Sequence, residues 1–294
     1  MYELIQLSNK CYYIESPAKI GLVRLNDNDV CLIDSGNDKD AGRRIKKILD
    51  ENKWNLTAIY NTHSNADHIG GNKYLQSQTG CRIFAKNIES AFSNYPILEP
   101  SFLFGGYPPR DLKHKFLYAA ESRVENLLPE MLPENVVSVD LPGHFFDMTG
   151  FCVDDGVAYI ADCLSSEETL NKYQIGFIYD IAAYIKTLES LKNMQAKIFV
   201  PAHAAVSDKE QILYLADLNI RKVKEIAQNI LNICAEPMCF EHILQKLFEI
   251  YGLQMNFEQY VLVGSTVRSY LSWLKDTERL CVDFSKNILL WKRI

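Results

Sequence analysis

The sequence lacks the features that mark membrane, secreted and disordered proteins. No run of about 18 uncharged apolar residues occurs, and the first residues show neither the basic nor the apolar segment of a signal peptide. Only 14 glycines and 10 prolines are present among 294 residues, and no tract is biased, so disordered, collagen-like and solenoid folds are disfavoured. We expect a cytoplasmic globular protein with no membrane partner.

The sequence also has no excess of basic residues and no closely spaced cysteine pairs. The chain has 31 Lys and Arg against 37 Asp and Glu, a formal net charge of −6, so it repels polyanions as a whole and nucleic acid is a disfavoured partner. None of the eight cysteines forms a CxxC pair, and most stand singly in apolar runs, which predicts free buried thiols. The prediction of a free buried thiol includes Cys163, because no local pattern indicates a lowered pKa for its thiol.

What the sequence does contain is the patterning of a mixed α/β fold. Apolar or alternating runs over 11–15, 20–25 and 30–34 predict an antiparallel sheet that opens the chain. Helical spacing and further apolar runs follow, and they predict helices over 39–52, 67–80 and 179–193, strands over 56–60, 81–85 and 197–200, and a hairpin of 151–153 with 157–161. Two β-rich halves, each covered by helices, indicate a layered α/β sandwich.

The pattern changes after His203, and we predict two domains, 1–206 and 207–294. A capping box at 207–210 opens a long helix to 230, and helices over 240–250 and 266–275 precede a hairpin around Lys286-Asn287, an order that resembles a winged helix. This unit has 11 basic and 11 acidic residues, and its candidate recognition helix holds only Arg268 and Lys275. We therefore expect packing or homodimer formation through this unit, and no DNA binding.

Residues 94–110 are predicted to be an irregular insertion. Four prolines and the pair Gly105-Gly106 fall within this stretch, together with several aromatic residues. A packed loop and a substrate lid are both consistent with this composition.

Histidines and aspartates that could bind metal occur at chain breaks after predicted strands. They are His63, Asp67 and His68 in one stretch, His144 after Leu141-Pro142-Gly143, Asp162 after 159–161, and His203 after Val200-Pro201-Ala202. Strand ends collect at one edge of a sheet, and imidazoles and carboxylates are preferred ligands of Zn²⁺. Four histidines and two aspartates so placed predict a metal centre. His114 and His242 have no such neighbours and are interpreted as surface residues on helical patterns.

This pattern resembles the signature of the metallo-β-lactamase superfamily, His-x-His-x-Asp-His followed by separate His, Asp and His residues. The strand end Leu32-Ile33-Asp34-Ser35-Gly36 also fits the family. The resemblance implies a four-layer αββα sandwich for the first unit and hydrolysis by a metal-activated water. The C-terminal winged-helix-like unit is similar to that of hydrolases like glyoxalase II or β-lactamase-like protein 2.

The resemblance also implies roles for individual residues. The positions matching His63, Asn65 and His144 hold a first metal ion, those matching Asp67, His68 and His203 hold a second, and Asp162 bridges them, with Asp67 and Asp162 also catalytic. Asn65 departs from the family, which has a second histidine there. An amide oxygen is a weaker donor for Zn²⁺ than imidazole, so we expect one or two Zn²⁺ ions, or Mn²⁺ or Fe at the Asn65 site.

The leading functional hypothesis is a metal-dependent hydrolase of a small-molecule ester, thioester or related bond. Two alternatives stay open at this point: a nuclease or phosphodiesterase, and a binding protein with a partly degraded metal site. A diiron oxygen or NO reductase fits less well, because the family pattern for that chemistry has an acid at position 65. Fold does not determine the substrate.

Overall fold

The computed structural model describes residues 2–285 and 287–294. Seven strands form a first sheet, in the order β1 (Glu3–Gln6), β2 (Cys11–Glu15), β3 (Ile20–Arg24), β4 (Asp29–Ile33), β5 (Asn55–Tyr60), β6 (Arg82–Ala85) and β7 (Glu125–Asn126). Its first four strands are antiparallel and the last four are parallel. A second sheet contains β8 (Val136–Asp140), β9 (Thr149–Val153), β10 (Val157–Ala161) and β11 (Ile198–Pro201).

Helices cover the outer faces of both sheets. They are α1 (Lys39–Glu51), α2 (Ala66–Ile69), α3 (Asn72–Thr79), α4 (Asn87–Asn94), α5 (Leu98–Phe104), α6 (Glu167–Tyr173), α7 (Ile181–Ser190), α8 (Lys209–Ile233), α9 (Phe240–Tyr251) and α10 (Phe257–Asp276). A two-stranded hairpin of β12 (Leu280–Asp283) and β13 (Leu290–Arg293) follows. The predicted mixed α/β class is confirmed.

Side-chain alternation along the strands creates the layers. In β4, Val30 and Leu32 pack toward α1 and α3, whereas Cys31 and Ile33 join a separate core that also contains residues of the second sheet. In β10, Tyr159 belongs to that central core, while Ile160 on the opposite face packs under the C-terminal helices. This is the period of two expected for a sheet buried on both faces.

A buried hydroxyl group links the two sheets at the centre of the molecule. Tyr159 Oη lies 2.8 Å from the carbonyl oxygen of Tyr12 and 3.2 Å from that of Leu22, so a side chain of the second sheet bonds to the backbone of the first. Gly21 leaves the room for this ring, because a Cβ atom at that position would lie 2.6 Å from Tyr159 Cε1.

The C-terminal region is helical, as predicted. Asp208, rather than Ser207, caps α8 by accepting a hydrogen bond from the backbone of Gln211. The apolar faces of α8, α9 and α10 continue one core from the second sheet, which includes Ile160, Ile226 and Tyr270. None of the helices in the described residues is long and apolar enough to cross a membrane.

Several predicted elements were wrong in detail. Residues 98–104 form α5 although they contain Pro100, because a proline in the first turn removes no intrahelical hydrogen bond. The helix predicted over 67–80 is broken at Gly70-Gly71 into α2 and α3, and α10 begins at Phe257 instead of 266. His114 lies in a turn and not on a helix.

Other elements were not predicted at all. They are β1, β7, β8, α4 and α6, which are short or largely exposed and therefore carry little hydrophobic periodicity. Two residues of predicted segments lie outside the described ranges. They are Met1 of the N-terminal segment and Lys286 of the hairpin turn.

The contact of Gly70 with the end of the first sheet leads to a stability prediction. A Cβ atom at Gly70 would lie 2.3 Å from the backbone carbon of Asn37, so Gly70→Ala should lower the free energy of unfolding by about 1–3 kcal/mol through overpacking. Gly106→Ala is the control, because its Cβ would meet Phe104 at 3.9 Å. Urea denaturation measures both, and equal losses in the two variants would contradict the close contact.

Candidate metal centre

Six histidine and aspartate side chains converge where strands of both sheets end. His63 lies in the loop after β5, and Asp67 and His68 belong to the short helix α2. The second sheet supplies the others: His144 from the loop between β8 and β9, Asp162 directly after β10, and His203 shortly after β11. The centre is therefore built from both sheets.

The side chains form two groups that share Asp162. His63, His144 and Asp162 make one group, and Asp67, His68, Asp162 and His203 make the other, with the potential donor atoms of each group within 4.8 Å of one another. His203 Nε2 lies 3.1 Å from Asp67 Oδ2 and 3.3 Å from Asp162 Oδ2. His68 Nε2 lies 3.3 Å from Asp162 Oδ1. Asp162 can thus contact ligands of two neighbouring sites.

Three buried polar atoms in these groups have no hydrogen bond of good geometry. They are Nε2 of His63, Nε2 of His68 and Oδ1 of Asp162. A buried polar group without a partner costs about 1–3 kcal/mol, so such atoms are uncommon unless something else satisfies them. Imidazole nitrogens and a carboxylate oxygen facing one another are the donor set that Zn²⁺ and similar cations prefer. The residues present therefore fit one or two divalent cations.

The electrostatics of the centre favour bound positive charge. Burial raises the pKa of Asp162, but the nearby His203 and His68 outweigh it and hold that pKa well below its usual value. Asp162, in turn, raises the pKa of His203 to about 10. Burial has the dominant effect on the other two imidazoles and lowers the pKa of His63 and of His144, which keeps them neutral as metal ligands must be.

Asp34 orients His68 and the loop that carries His63. Its carboxylate lies 2.8 Å from His68 Nδ1, and it accepts hydrogen bonds from the backbone NH of Thr62 at 2.8 Å and from Thr62 Oγ1 at 2.7 Å. A carboxylate on Nδ1 directs Nε2 of the same ring toward a metal. Asp34 adopts a φ of 66°, so the backbone turns sharply where β4 ends.

The backbone is also strained beside the shared aspartate. Ala161, which precedes Asp162, adopts a φ of 48°, and the pairing of β10 with β11 is irregular between Tyr159 and Ala161. A positive φ is uncommon for a residue with a side chain, and strained residues of this kind cluster at functional sites. The turn carries Asp162 out of the sheet and toward the histidines of the first sheet.

Asn65, the departure from the family pattern, also faces the centre. Its Oδ1 lies 3.2 Å from His144 Nε2, and its Nδ2 donates to Glu99 Oε1 at 2.7 Å. Burial raises the pKa of Glu99 well above its usual value, although the hydrogen bond from Asn65 opposes this. The amide thus lies between a buried carboxyl group and the first group of ligands.

A cavity of about 680 Å³ opens beside His144, Asp162 and His203. Its walls come from residues 164–178, from α8 and from α10, and they combine apolar side chains such as Phe177 and Leu262 with polar ones such as Lys222. Lys222 donates to Gln174 Oε1 at 2.7 Å and to Glu225 Oε1 at 3.0 Å. This volume suits a small molecule.

The structure brings all seven predicted site residues together around one centre, and their role as metal ligands stays a prediction. Sequence reasoning did not assign Asp34 a role, although the strand ending in aspartate was visible. It missed Glu89, for whose segment no element was predicted, and Glu99, which falls in the proline-containing stretch predicted to be irregular. Cys163 is a buried free thiol, and burial raises its pKa, as expected for an unreactive cysteine.

Comparison with known proteins is consistent with this geometry. Residues 14–203 match the family model described as the metallo-beta-lactamase superfamily. A Drosophila melanogaster protein named beta-lactamase-like protein 2 homolog is 26% identical over 186 residues, which are 60% of this chain and 56% of that protein's length.

Two solved structures share the fold over nearly the whole chain. A metallo-beta-lactamase family protein from Thermus thermophilus superposes with a TM-score of 0.73 at 15% identity, covering 100% of this chain and 98% of that one. A beta-lactamase domain protein from Burkholderia ambifaria superposes with a TM-score of 0.71 at 15% identity, covering 99% of this chain and 94% of that one. At this identity the likeness concerns the fold alone.

Proposed function

Because the chain belongs to the metallo-β-lactamase superfamily, we propose that it is a metal-dependent hydrolase of a small-molecule ester, thioester or related bond. The observation that carries the proposal is the pair of His and Asp groups that share Asp162. In these groups, three buried nitrogen and oxygen atoms that could bind a metal have no hydrogen-bond partner. Metal binding explains both the convergence and the unpaired atoms.

The proposed ligands divide between two sites. The first is formed by His63, Asn65 and His144, the second by Asp67, His68 and His203, and Asp162 serves both. We propose Zn²⁺ as the ion, with Mn²⁺ or Fe as alternatives at the first site, because the amide oxygen of Asn65 is a harder donor than imidazole. When bound, divalent cations make water a stronger acid and polarise a substrate oxygen.

The protein's own residues would bind and orient the reactants. Asp67, whose side chain is one-third exposed, is placed to accept a hydrogen bond from an attacking water and hold it in position. Asp162 would keep the two halves of the centre in fixed relation, since it contacts ligands of both. The cavity beside His144 would hold the substrate, with apolar contacts from Phe177 and Leu262 and polar contacts from Lys222.

The C-terminal helices support a small-molecule substrate over nucleic acid. We propose a winged-helix-like unit in which α10 takes the position of a recognition helix, yet α10 is packed inward. Thr266 Oγ1 accepts a hydrogen bond from the backbone of Ile178 at 3.0 Å, and Ser269 Oγ donates to the carbonyl of Tyr179 at 2.6 Å. The guanidinium of Arg268 lies 3.8 Å from the ring centroid of Phe240. A helix held in this way forms a wall of the cavity, which supports a small-molecule substrate over DNA.

We propose the cytoplasm as the location. All eight cysteines are free thiols, seven of them buried or half-buried. Proteins of reducing compartments keep such thiols unpaired.

Metal content and turnover test the proposed function directly. The protein purified without chelator should contain about one transition-metal ion or more per chain, and Asp162→Ala should lower the metal content and reduce hydrolysis of a panel of esters, thioesters and phosphodiesters to the uncatalysed rate. Asp217→Ala, an exposed aspartate of α8 paired with Arg221, should change neither quantity. Folded protein that takes up no Zn²⁺, Mn²⁺ or Fe²⁺ would refute the proposal.

A DNA-binding experiment distinguishes the proposed small-molecule hydrolase from the nuclease alternative. In a gel-shift experiment with random duplex at low salt, micromolar protein should give no retarded band, because residues 207–294 have no net charge and α10 is packed inward. A retarded band that weakens steeply as salt rises would favour the nuclease or phosphodiesterase interpretation instead.

Self-association is proposed through the hairpin end of the C-terminal unit. Phe284, Ile288 and Ile294 are 64%, 51% and 72% exposed there, an apolar surface that a second copy could cover. Light scattering should give the mass of a dimer, and the double variant Phe284→Ser and Ile294→Ser should give a monomer. Tyr107→Ser, at an 80% exposed position in another part of the molecule, is the control. A wild-type monomer at high concentration would exclude the dimer.

A further inference from the structure

The segment between β6 and β7 places two buried carboxyl groups behind the proposed first metal site. Glu89 lies on α4 and is 0% exposed, and Glu99 lies on α5 and is 5% exposed. A buried carboxyl group is costly unless hydrogen bonds or charges compensate for the lost solvation. The partners of these two groups therefore indicate what the segment contributes.

Glu89 connects the two loops that carry the first-site ligands. Its Oε2 accepts hydrogen bonds from the backbone NH of Ser64 at 3.0 Å and from Ser64 Oγ at 2.6 Å. Its Oε1 accepts from the backbone NH of Asp147 at 2.8 Å. Ser64 lies between His63 and Asn65, and Asp147 lies in the loop that carries His144, so this side chain holds both loops in register.

Glu99 acts on the orientation of a single side chain. An amide has a donor end and an acceptor end, and either end of Asn65 could face the centre. Glu99 Oε1 accepts the hydrogen bond from Asn65 Nδ2 at 2.7 Å, which leaves Asn65 Oδ1 on the opposite side, 3.2 Å from His144 Nε2. A metal ion can be bound by the oxygen of an amide but not by its NH₂ group.

We propose that Glu99 is a positioning residue that keeps the Asn65 amide oxygen turned toward the first metal site, so that Asn65 and Glu99 together replace the second histidine of the family pattern. The inference rests on the proposed function, because it assumes that the first group of ligands binds a cation. If Glu99 had only a structural role, its replacement would weaken metal binding whether or not Asn65 was present. Under the proposal, its effect on first-site metal affinity passes through the Asn65 side chain alone.

Metal titration of the apo protein, with Mn²⁺ and Zn²⁺ added separately, tests the proposal without measuring activity. Two binding events are expected, and the one weakened in Asn65→Ala is assigned to the first site. Glu99→Leu should weaken that event by about 10–100-fold, the usual effect of removing a group that orients a ligand, and leave the second event unchanged. Glu99→Gln, whose carbonyl oxygen can accept the same hydrogen bond, should retain most of the affinity.

A double-mutant cycle shows whether Glu99 acts through Asn65. In the Asn65→Ala background, Glu99→Leu should cause no further loss of first-site affinity. Glu99→Asp, which keeps the carboxyl group but is one methylene shorter, is a second variant expected to fold and to lose first-site affinity in the same way.

The outcomes distinguish this inference from the proposed function. Unchanged two-site binding in Glu99→Leu or Glu99→Asp would overturn the inference and leave the hydrolase proposal intact. An equal loss with and without the Asn65 side chain would also overturn it. A wild-type protein that binds neither ion at either site would remove the proposed function, and this inference with it.

Discussion

The buried carboxylate of Asp34 is the interaction on which the candidate centre depends. It is placed where β4 ends, it accepts two hydrogen bonds from Thr62, and it lies against Nδ1 of His68. One side chain thus determines both the path of the loop after β5 and the direction of an imidazole on α2. The helix in turn can approach only because Gly70 and Gly71 have no side chains at its contact with residues 35–38. The first sheet therefore holds its candidate ligands as one preorganised unit, as a tight metal site would require.

The second half of the centre has a different origin. Asp162 and His203 follow neighbouring parallel strands, so their separation follows from strand spacing, and the turn at Ala161 carries the aspartate toward the first sheet. The same sheet packs beneath α8 and α10, which form walls of the cavity beside the ligands. The C-terminal helices therefore lie close to the candidate centre, and in the proposed hydrolase changes in them would alter the substrate cavity without changing the proposed ligands.

Sequence reasoning reached the centre because its histidines and aspartates occur in a short pattern at strand ends. The spacing of His63, Asp67 and His68 and the isolated positions of His144, Asp162 and His203 follow directly from that geometry. The supporting residues were out of reach, because Glu99 is an ordinary glutamate next to a proline and only the packing of α5 shows that it contacts Asn65. Short edge strands such as β8 were missed for a related reason, since exposed residues carry no periodic signal.

The hydroxyl of Tyr159 has a consequence for how the molecule responds to change. Because His63, Asp67 and His68 come from one sheet and His144, Asp162 and His203 from the other, the distance between the two sets of ligands is the distance between the sheets. Tyr159 bonds across that gap, and its ring occupies the space above Gly21. The thickness of the sandwich therefore sets the distance across the candidate centre, and a substitution deep in the core, remote from all six side chains, would change that distance without touching any of them.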